Sequence, residues 1–413
     1  MITVKPFRAL RPIPELVKDC AALPYDVMSR EEAYREAKDN PYSFLHVDKA
    51  EIDLDPSVDG YDPRVYAKAA DNLRKLETDG TYQEDEKKRY YFYRQIMDGR
   101  AQTGIVGCAS IDDYLRGAIK KHELTRADKE ADRIRHVTTC AAHTGPIFLA
   151  YRESETLDLL IERVTLGAPL YDFTSDDGIR HTVWTSDGTT DRAIESAFQK
   201  LDALYIADGH HRAASAVRAG LQRREEEGDY TGEEEFNYFL SVVFPANSLK
   251  IFDYNRLLLD LNGLDKDGLL AEIERTLGKV TKQEKAGAYR PKKAHEIGLY
   301  VEGAWYQVEF RAEICQAEKP SERLDCSILQ REFLASVLGI NDPRTDKRID
   351  FVGGIRGLEY LESRCKEDAV AAIAMYPTSL EELMTVADAG EIMPPKSTWF
   401  EPKLRSGIFI NKI

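Results

Sequence analysis

The chain has 413 residues, of which 43% are apolar and 31% are charged. This length and composition are typical of a soluble globular protein with about two or three domains. The 72 acidic side chains outnumber the 57 basic ones, which gives a formal net charge of −15. This balance opposes non-specific binding to nucleic acid, because such binding depends on basic side chains that neutralise phosphates.

The sequence contains no signal for a membrane or for export. No apolar run approaches the roughly 20 residues that a membrane-spanning helix needs. The first residues, MITVKPFRALRPIPEL, contain neither the apolar core nor the cleavage site of a secretory signal. The six cysteines lie far apart and form no C-x-x-C pair, which argues against a zinc motif and against a disulfide framework. We therefore expect a cytoplasmic protein with reduced thiols and no membrane partner.

Three local signals predict secondary structure in the first part of the chain. Ser29 followed by Glu32 forms a capping box, which predicts that a helix begins there. Residues 62–80 predict a helix, with proline near the first turn and glycine after the end. Residues 88–112 predict two strands joined by an Asp-Gly turn, which is a strong hairpin signal.

Further along the chain, strands and helices mix without a regular βαβ rhythm. Residues 236–245 and 248–259 are strand candidates, and residues 295–312 predict a hairpin that turns at Glu302-Gly303. Residues 326–339 predict one helix that ends at Gly339. We therefore expect an α+β fold, or an irregular α/β fold.

The stretch YIADGHHRAASAVRAG, residues 205–220, predicts an anion site. An apolar strand ends at Asp208, Gly209 follows, and an alanine-rich helix begins with His210, His211 and Arg212. The first N–H groups of a helix lack partners and lie at the positive end of its dipole, so they attract phosphate. The two histidines and the arginine add side-chain donors, and Asp208 is a candidate ligand for Mg²⁺. The alternative is that Asp208 only caps the helix while the histidines are surface or packing residues.

The distribution of histidines favours a functional site. Six of the eight histidines fall within residues 122–211, namely His122, His136, His143, His181, His210 and His211. A zinc site built from His136, His143 and the 210–211 pair is a second possibility, although no H-E-x-x-H motif is present.

A second charged segment, AIKKHELTRADKEADR, covers residues 118–133. On a helix, Arg126, Lys129, Glu130 and Arg133 are spaced i, i+3, i+4 and i+7, so they would share one face. Such a face is either a solvated set of ion pairs or a group of cations that neutralises phosphate or binds a substrate carboxylate.

The segment ADGHHRAASA resembles the strand–loop–helix signature of the ParB/sulfiredoxin superfamily, which binds nucleotide phosphates at this loop. Its DGHHR form is most similar to the free-serine kinases of that superfamily. In those kinases, a short strand ending in a Lys-x-His-Glu-like segment supplies the base that deprotonates serine. The segment IKKHE resembles it, which implies that Glu123, beside His122, is the base. The resemblance to these kinases also implies that ATP or ADP is the phosphate donor, with Mg²⁺.

The whole chain also resembles a large prokaryotic family of unknown function, whose members begin with PFRALRP…PYDV and end with MPPKSTWFEPKLRSG. With the superfamily match, this predicts an N-terminal α/β segment (1–87), a ParB/sulfiredoxin-like nucleotide-binding core (88–235) and a C-terminal α+β domain (236–413). The tail at 396–407 is either a lid or anion-binding loop, or an ordered segment anchored by its aromatic residues.

These observations predict a small-molecule kinase that transfers phosphate from a nucleotide to a hydroxylated metabolite, with free serine implied by the resemblance. Glu123, His122 and Asp208 would be catalytic, and Asp208 would hold Mg²⁺. The phosphate ligands would be Gly209, His210, His211, Arg212, Arg126, Lys129 and Arg133. Two alternatives are a ParB-like nucleotide-binding regulatory protein and a phosphatase that acts on a phosphorylated metabolite.

Overall fold

The structure is a computed structural model that describes residues 1–284 and 287–413. The strands are β1 (Val4–Lys5), β2 (Leu10–Pro12), β3 (Tyr82–Glu84), β4 (Tyr91–Met97), β5 (Arg100–Ser110), β6 (Ile119–Lys120), β7 (Ala142–His143), β8 (Ile147–Tyr151), β9 (Tyr171–Thr174), β10 (Arg180–Thr185), β11 (Leu204–Asp208), β12 (Tyr238–Pro245), β13 (Ile251–Phe252), β14 (Tyr254–Leu258), β15 (Gly278–Lys282), β16 (Glu296–Val301), β17 (Ala304–Phe310), β18 (Ile349–Gly353), β19 (Ala371–Ala374), β20 (Trp399–Phe400) and β21 (Asn411–Lys412). The α-helices are α1 (Val17–Cys20), α2 (Arg30–Ala37), α3 (Leu45–Asp48), α4 (Pro63–Thr78), α5 (Ile111–Leu115), α6 (Ala127–Cys140), α7 (Glu155–Thr165), α8 (Gly188–Phe198), α9 (His210–Glu227), α10 (Lys266–Thr276), α11 (Ala312–Cys315), α12 (Asp325–Leu329), α13 (Leu358–Glu367) and α14 (Leu380–Asp388).

The chain divides into two compact units. The first contains Met1–Leu249 and Pro402–Ile413, and the second contains Lys250–Glu401. Each unit combines helices with a mixed or antiparallel sheet, which confirms the predicted α+β class. The division into segments 1–87, 88–235 and 236–413 stays a prediction. Among the residues that the structure describes, no helix combines the length and the apolar character that a bilayer crossing requires.

The first unit is built on a sheet with the strand order β6-β11-β8-β12-β5-β4-β10-β9, and β1 also pairs with β5. Strand β12 lies between β5 and β8, and all of its residues are buried. Its run of apolar residues, FNYFLSVVFP in the sequence, is typical of a central strand that is covered on both faces. The predicted anion site lies at one side of this sheet, where β6 is the edge strand and β11 and β8 follow.

Helix α9 packs against this sheet through one face. Ala213, Ala216, Val217 and Gly220 recur at helical spacing and are all buried. A Cβ atom on Gly220 would lie 2.4 Å from the carbonyl oxygen of Phe236, so glycine is needed for this close approach. The packed face fixes the helix, and therefore fixes the position of its first turn.

The local signals in the first part of the chain are confirmed. The Ser29 side chain accepts a hydrogen bond from Glu32 N, and the Glu32 side chain accepts one from Ser29 N, as a capping box requires. Helix α4 begins with a proline after the Asp62 cap, and β4 and β5 form the predicted hairpin. Asp98 and Gly99 both have positive φ angles, which a tight two-residue turn needs.

The second unit contains an antiparallel sheet with the order β15-β17-β16-β19-β14-β18. The predicted hairpin at Glu302-Gly303 is confirmed as β16 and β17. The prediction of one α-helix over 326–339 is wrong, because α12 is followed by a π-helical stretch at Gln330–Ala335. In the turn after this stretch, Leu338 N donates to Phe333 O, five residues back. This wider turn has no signature in the apolar pattern.

Candidate functional site

The predicted strand–glycine–helix unit is present at β11 and α9. Gly209 is the residue before the helix, and its φ of 87° and ψ of 33° are left-handed values that glycine adopts without a Cβ penalty. No side chain among the described residues caps the N-terminus of this 18-residue helix. The first-turn N–H groups are therefore not satisfied by a capping side chain, which is the local arrangement that binds anions.

The pairing of β6 with β11 determines which residues surround this turn. The two strands are parallel, with Ile119 opposite Leu204 and Lys120 opposite Tyr205. Because parallel strands end at the same edge of a sheet, the residues after β6 lie beside the residues after β11. His122 and Glu123 therefore come to the start of α9, as the sequence analysis expects.

His122, Glu123 and His210 form a cluster, in which one ligand atom from each side chain lies within 4.8 Å of the others. His210 Nδ1 lies 3.7 Å from Glu123 Oε2. His122 N donates to His210 Nε2 over 3.5 Å, and the two rings meet edge to face with centroids 4.4 Å apart. The cluster places a carboxylate beside the first residue of the helix.

Both histidines of the cluster are neutral at pH 7. Burial lowers the pKa of His122 to about 4, although the Asp208 carboxylate acts in the opposite direction. Burial also lowers the pKa of His210 well below its usual value, and the neighbouring His122 and His211 lower it further. Each ring therefore has one nitrogen lone pair that can accept a hydrogen bond or bind a metal.

Asp208 is held by two donors. Its Oδ1 accepts from Gly209 N over 2.8 Å, and its Oδ2 accepts from Lys403 Nζ over 2.8 Å. Burial would raise the pKa of Asp208, but the Lys403 ammonium and the Gly209 N–H outweigh it and hold the pKa below its usual value. Gly209, and not Asp208, occupies the cap position, so the alternative of Asp208 as a helix cap is wrong. A Mg²⁺ ion at Asp208 would share this carboxylate with Lys403.

The predicted helix face of segment 118–133 keeps Lys129, Glu130 and Arg133, which lie in α6, but the prediction is wrong for Arg126. Helix α6 begins at Ala127, so Arg126 is the residue before it, and its guanidinium pairs with Asp128 at 2.8 Å. Its backbone N–H instead reaches the site, because it donates to His211 Nε2 over 3.1 Å. Lys129 Nζ lies over the ring of Tyr61, 5.5 Å from the ring centre.

Arg133 and Arg212 meet on the ring of Tyr25. Their guanidinium carbons lie 4.0 Å and 5.3 Å from the ring centre. Arg212 also contacts Asp48 at 3.3 Å and Ser406 Oγ at 3.2 Å. This arrangement anchors Arg212, one of the predicted phosphate ligands, in a network inside the first unit.

A small pocket of about 30 Å³ lies beside the start of α9. It is lined by Pro24, Asp26, Pro146, Phe148, Asp208, Gly209, Arg212, Lys403 and Leu404. Two cationic side chains therefore face the same space as the uncapped helix terminus. This combination suits a phosphate group, because the two cations and the positive end of the helix dipole both attract an anion.

The predicted zinc group is not brought together. Within residues 1–284 and 287–413, the group of three metal-ligand side chains that the structure assembles is His122, Glu123 and His210. His136 Nε2 is engaged with the carbonyl oxygen of Val47 at 3.0 Å. His143 is buried, and its ring nitrogens have no hydrogen-bond partner among the described residues.

Tyr25 and Asp48 have no predicted role at this site, and Lys403 and Ser406 are covered only by the two interpretations of the tail at 396–407. Tyr25 belongs to the PYDV motif, and Lys403 and Ser406 belong to the KSTWFEPKLRSG tail. These two motifs are the sequence signal for these three residues, but nothing in the sequence shows that the motifs lie beside the start of α9. Lys403, in the last part of the tail, lines the pocket beside the start of α9. The choice between the two interpretations of the tail stays a prediction.

Comparison with solved structures finds distant similarity to several proteins, one of which is a kinase solved with a nucleotide. A free serine kinase in complex with AMP is 16% identical over 73% of this chain and 90% of that chain, with a TM-score of 0.36. SbnI from Staphylococcus aureus, with a C-terminal truncation, is 10% identical over 74% and 87%, with a TM-score of 0.38. A conserved hypothetical protein from Pyrococcus furiosus is 16% identical over 73% and 93%, with a TM-score of 0.35. At such TM-scores, these similarities carry no argument about the chemistry of this chain.

Sequence comparison identifies the family of the chain. No curated protein matches the chain. The profile of the family described as "Protein of unknown function (DUF1015)" matches residues 4–327. Because this match spans most of the sequence, the protein belongs to the DUF1015 family.

Proposed function

We propose that this protein binds the phosphates of a nucleotide at residues 209–212 and transfers the terminal phosphoryl group to the hydroxyl of a small metabolite. The observation that carries the proposal is the juxtaposition of two parts. One is the uncapped start of α9 after the left-handed Gly209. The other is the Glu123 carboxylate, 3.7 Å from the first residue of that helix.

The phosphate half of the site rests on backbone and charge. An 18-residue helix offers first-turn N–H groups and a positive dipole end to an anion. Arg212 and Lys403 line the adjoining pocket and add two cationic groups. Mg²⁺ would neutralise further phosphate charge, and Asp208 is the carboxylate beside this pocket that would hold it.

The acceptor half of the site rests on Glu123. In the proposed reaction, the acceptor hydroxyl gives its proton to Glu123 and its oxygen bonds to the terminal phosphorus. The bond between that phosphorus and the bridging oxygen breaks, so the nucleotide leaves with one phosphate fewer. Phosphoryl transfer asks the protein mainly for orientation and charge neutralisation, and a carboxylate within reach of the hydroxyl supplies the orientation.

The choice of acceptor and donor rests on the sequence resemblance alone. DGHHR and IKKHE resemble the corresponding segments of free-serine kinases, so serine is the first acceptor to test, with ATP and ADP as the first donors.

The experiment measures nucleotide turnover with Mg²⁺, with and without serine, in the wild type and in Glu123→Gln. We expect acceptor-dependent loss of one phosphate from the nucleotide in the wild type, and turnover reduced at least 100-fold in Glu123→Gln with nucleotide binding retained. The matched control is Glu225→Gln, which removes an exposed carboxylate near the far end of the same helix. Nucleotide binding without any acceptor dependence would support the regulatory protein, and phosphate release without nucleotide would support the phosphatase.

A further inference from the structure

We propose that His122, Glu123 and His210 form a binding site for one divalent transition-metal ion, of the class of Mn²⁺, Fe²⁺, Co²⁺ or Zn²⁺. This inference goes beyond the proposed function, because metal binding requires neither a nucleotide nor an acceptor. It also differs from the Mg²⁺ position at Asp208, since the donors are two imidazoles and a carboxylate. Imidazole nitrogen suits these ions, whereas Mg²⁺ prefers oxygen ligands.

The first observation is the convergence of three donors. One ligand atom from each residue lies within 4.8 Å of the others, and His210 Nδ1 and Glu123 Oε2 are 3.7 Å apart. Metal–nitrogen and metal–oxygen bonds of about 2 Å place ligand atoms roughly 3 Å apart around one ion. Small side-chain rotations therefore suffice to bring the three atoms to a common centre.

The second observation is independent of this spacing and concerns His122. Its side chain is 2% exposed, and neither ring nitrogen has a hydrogen-bond partner among the described residues. Buried polar groups in folded proteins almost always have partners, so two unpartnered nitrogens on one ring indicate a missing partner.

The backbone holds the donors in place. His122 and Glu123 follow β6 directly, and His210 opens α9 after β11, which is parallel to β6. Ligands that lie at the ends of paired strands and at a packed helix are held more firmly than ligands on a free loop. The site therefore requires no rearrangement of the backbone.

The metal and the proposed base are compatible. Glu123 has two carboxylate oxygens, so coordination through Oε2 leaves Oε1 to accept a proton. If Nδ1 of His210 binds the metal, the ring proton lies on Nε2. Nε2 can then no longer accept the hydrogen bond from His122 N. That contact is 3.5 Å long, which is at the weak limit for a hydrogen bond.

The test uses the purified full chain after removal of metal with a chelator. Co²⁺ is titrated while its visible ligand-field absorption is recorded, and Zn²⁺ is then added as a competitor. We expect one equivalent of Co²⁺ to bind with bands typical of nitrogen coordination, and Mg²⁺ not to compete. His122→Asn and His210→Asn should weaken Co²⁺ binding about 100-fold or more, since even residues behind the ligands contribute 10–100-fold. The control, His295→Asn, removes a partly exposed imidazole of the second unit and should leave the affinity unchanged.

Absence of Co²⁺ and Zn²⁺ binding in the wild type would overturn the inference, and so would equal affinity in His122→Asn. If the buried His122→Asn variant does not fold, Glu123→Gln provides the test, because the Glu123 side chain is 43% exposed. Nucleotide binding is measured on the same metal-free samples by thermal shift. Metal binding without nucleotide binding contradicts the proposed function only, and the reverse result contradicts the metal site only.

Discussion

Lys403 Nζ donates to Asp208 Oδ2 over 2.8 Å, although 195 residues separate them in the sequence. This contact places the C-terminal segment of the first unit at the start of α9, where it lines the same pocket as Gly209. Ser406, three residues further on, contacts the guanidinium of Arg212. The proposed anion site is therefore assembled from both ends of the first unit's chain.

Replacing Lys403 should weaken nucleotide binding more than it weakens the fold. Lys403→Met removes one cationic group from the pocket, and charge-assisted contacts to phosphate are stronger than neutral ones. We expect the Kd for ATP or ADP to rise about 10-fold, and Lys403→Arg to restore most of the affinity. Isothermal titration calorimetry checks this, with exposed Lys200→Met as the control. An unchanged Kd in Lys403→Met would remove Lys403 from the site.

Gly145 makes room for Arg212. A Cβ atom at position 145 would lie 1.8 Å from Arg212 Nη1, so Gly145→Ala must displace the guanidinium. We expect about a 10-fold loss of nucleotide affinity together with a lower Tm. The control is Gly60→Ala, because a Cβ there meets nothing within 4 Å. Unchanged affinity in Gly145→Ala would show that the position of Arg212 does not matter for the ligand.

The buried pair of Asp48 and Arg212 should stabilise the first unit. The Asp48 side chain is 1% exposed, and it also accepts from Thr144 Oγ1 at 2.7 Å. Removing one partner of a buried ion pair leaves an uncompensated charge and costs about 3 kcal/mol or more. Asp48→Ala should therefore lower the free energy of unfolding in urea by this amount, while exposed Asp39→Ala changes it by less than about 0.5 kcal/mol. Equal effects of the two variants would contradict the pairing.

His143 should make the protein less stable in mild acid. Burial lowers the pKa of His143 to about 4, whereas the unfolded value is about 6.5. The unfolded state therefore binds the proton first, so stability is complete above pH 6.5 and decreases as the pH falls towards 4. The loss between pH 7 and pH 5 is about 2 kcal/mol for this one group.

The measurement is urea unfolding of the wild type and of His143→Gln at pH 7 and pH 5. The variant should lose about 2 kcal/mol less than the wild type over this interval, since the other histidines contribute equally to both proteins. An identical pH dependence in the two proteins would show that His143 is not neutral in the fold.

The sequence predicts the parts of the site that depend on neighbouring residues. It does not predict the contacts between residues that are far apart in the chain. The strand, glycine and helix at residues 204–227 depend on neighbouring residues, so apolar pattern and glycine placement are sufficient to predict them. The same holds for the capping box at Ser29 and for the two hairpins. By contrast, the contacts of Tyr25 with Arg133 and Arg212 depend on tertiary packing, which no local pattern encodes.

Two errors have specific physical causes. The helix face from Arg126 to Arg133 is predicted from spacing alone, and spacing does not show where a helix begins. In the structure, α6 begins one residue after Arg126. The assignment of Asp208 as a possible cap failed because glycine in the left-handed conformation takes the cap position itself. Helix ends are decided by local backbone geometry, which residue type indicates only in part.

The most direct test of the account is the affinity of Mg²⁺-ATP and Mg²⁺-ADP for the wild type and for Gly209→Ala, measured by isothermal titration calorimetry. A side chain at Gly209 strains the left-handed backbone and adds a methyl group where a phosphate would approach. The account predicts binding by the wild type and at least a 10-fold higher Kd in Gly209→Ala, with Gly60→Ala unchanged. Absence of binding by the wild type, or equal Kd values in the two glycine variants, would contradict a nucleotide site at the start of α9.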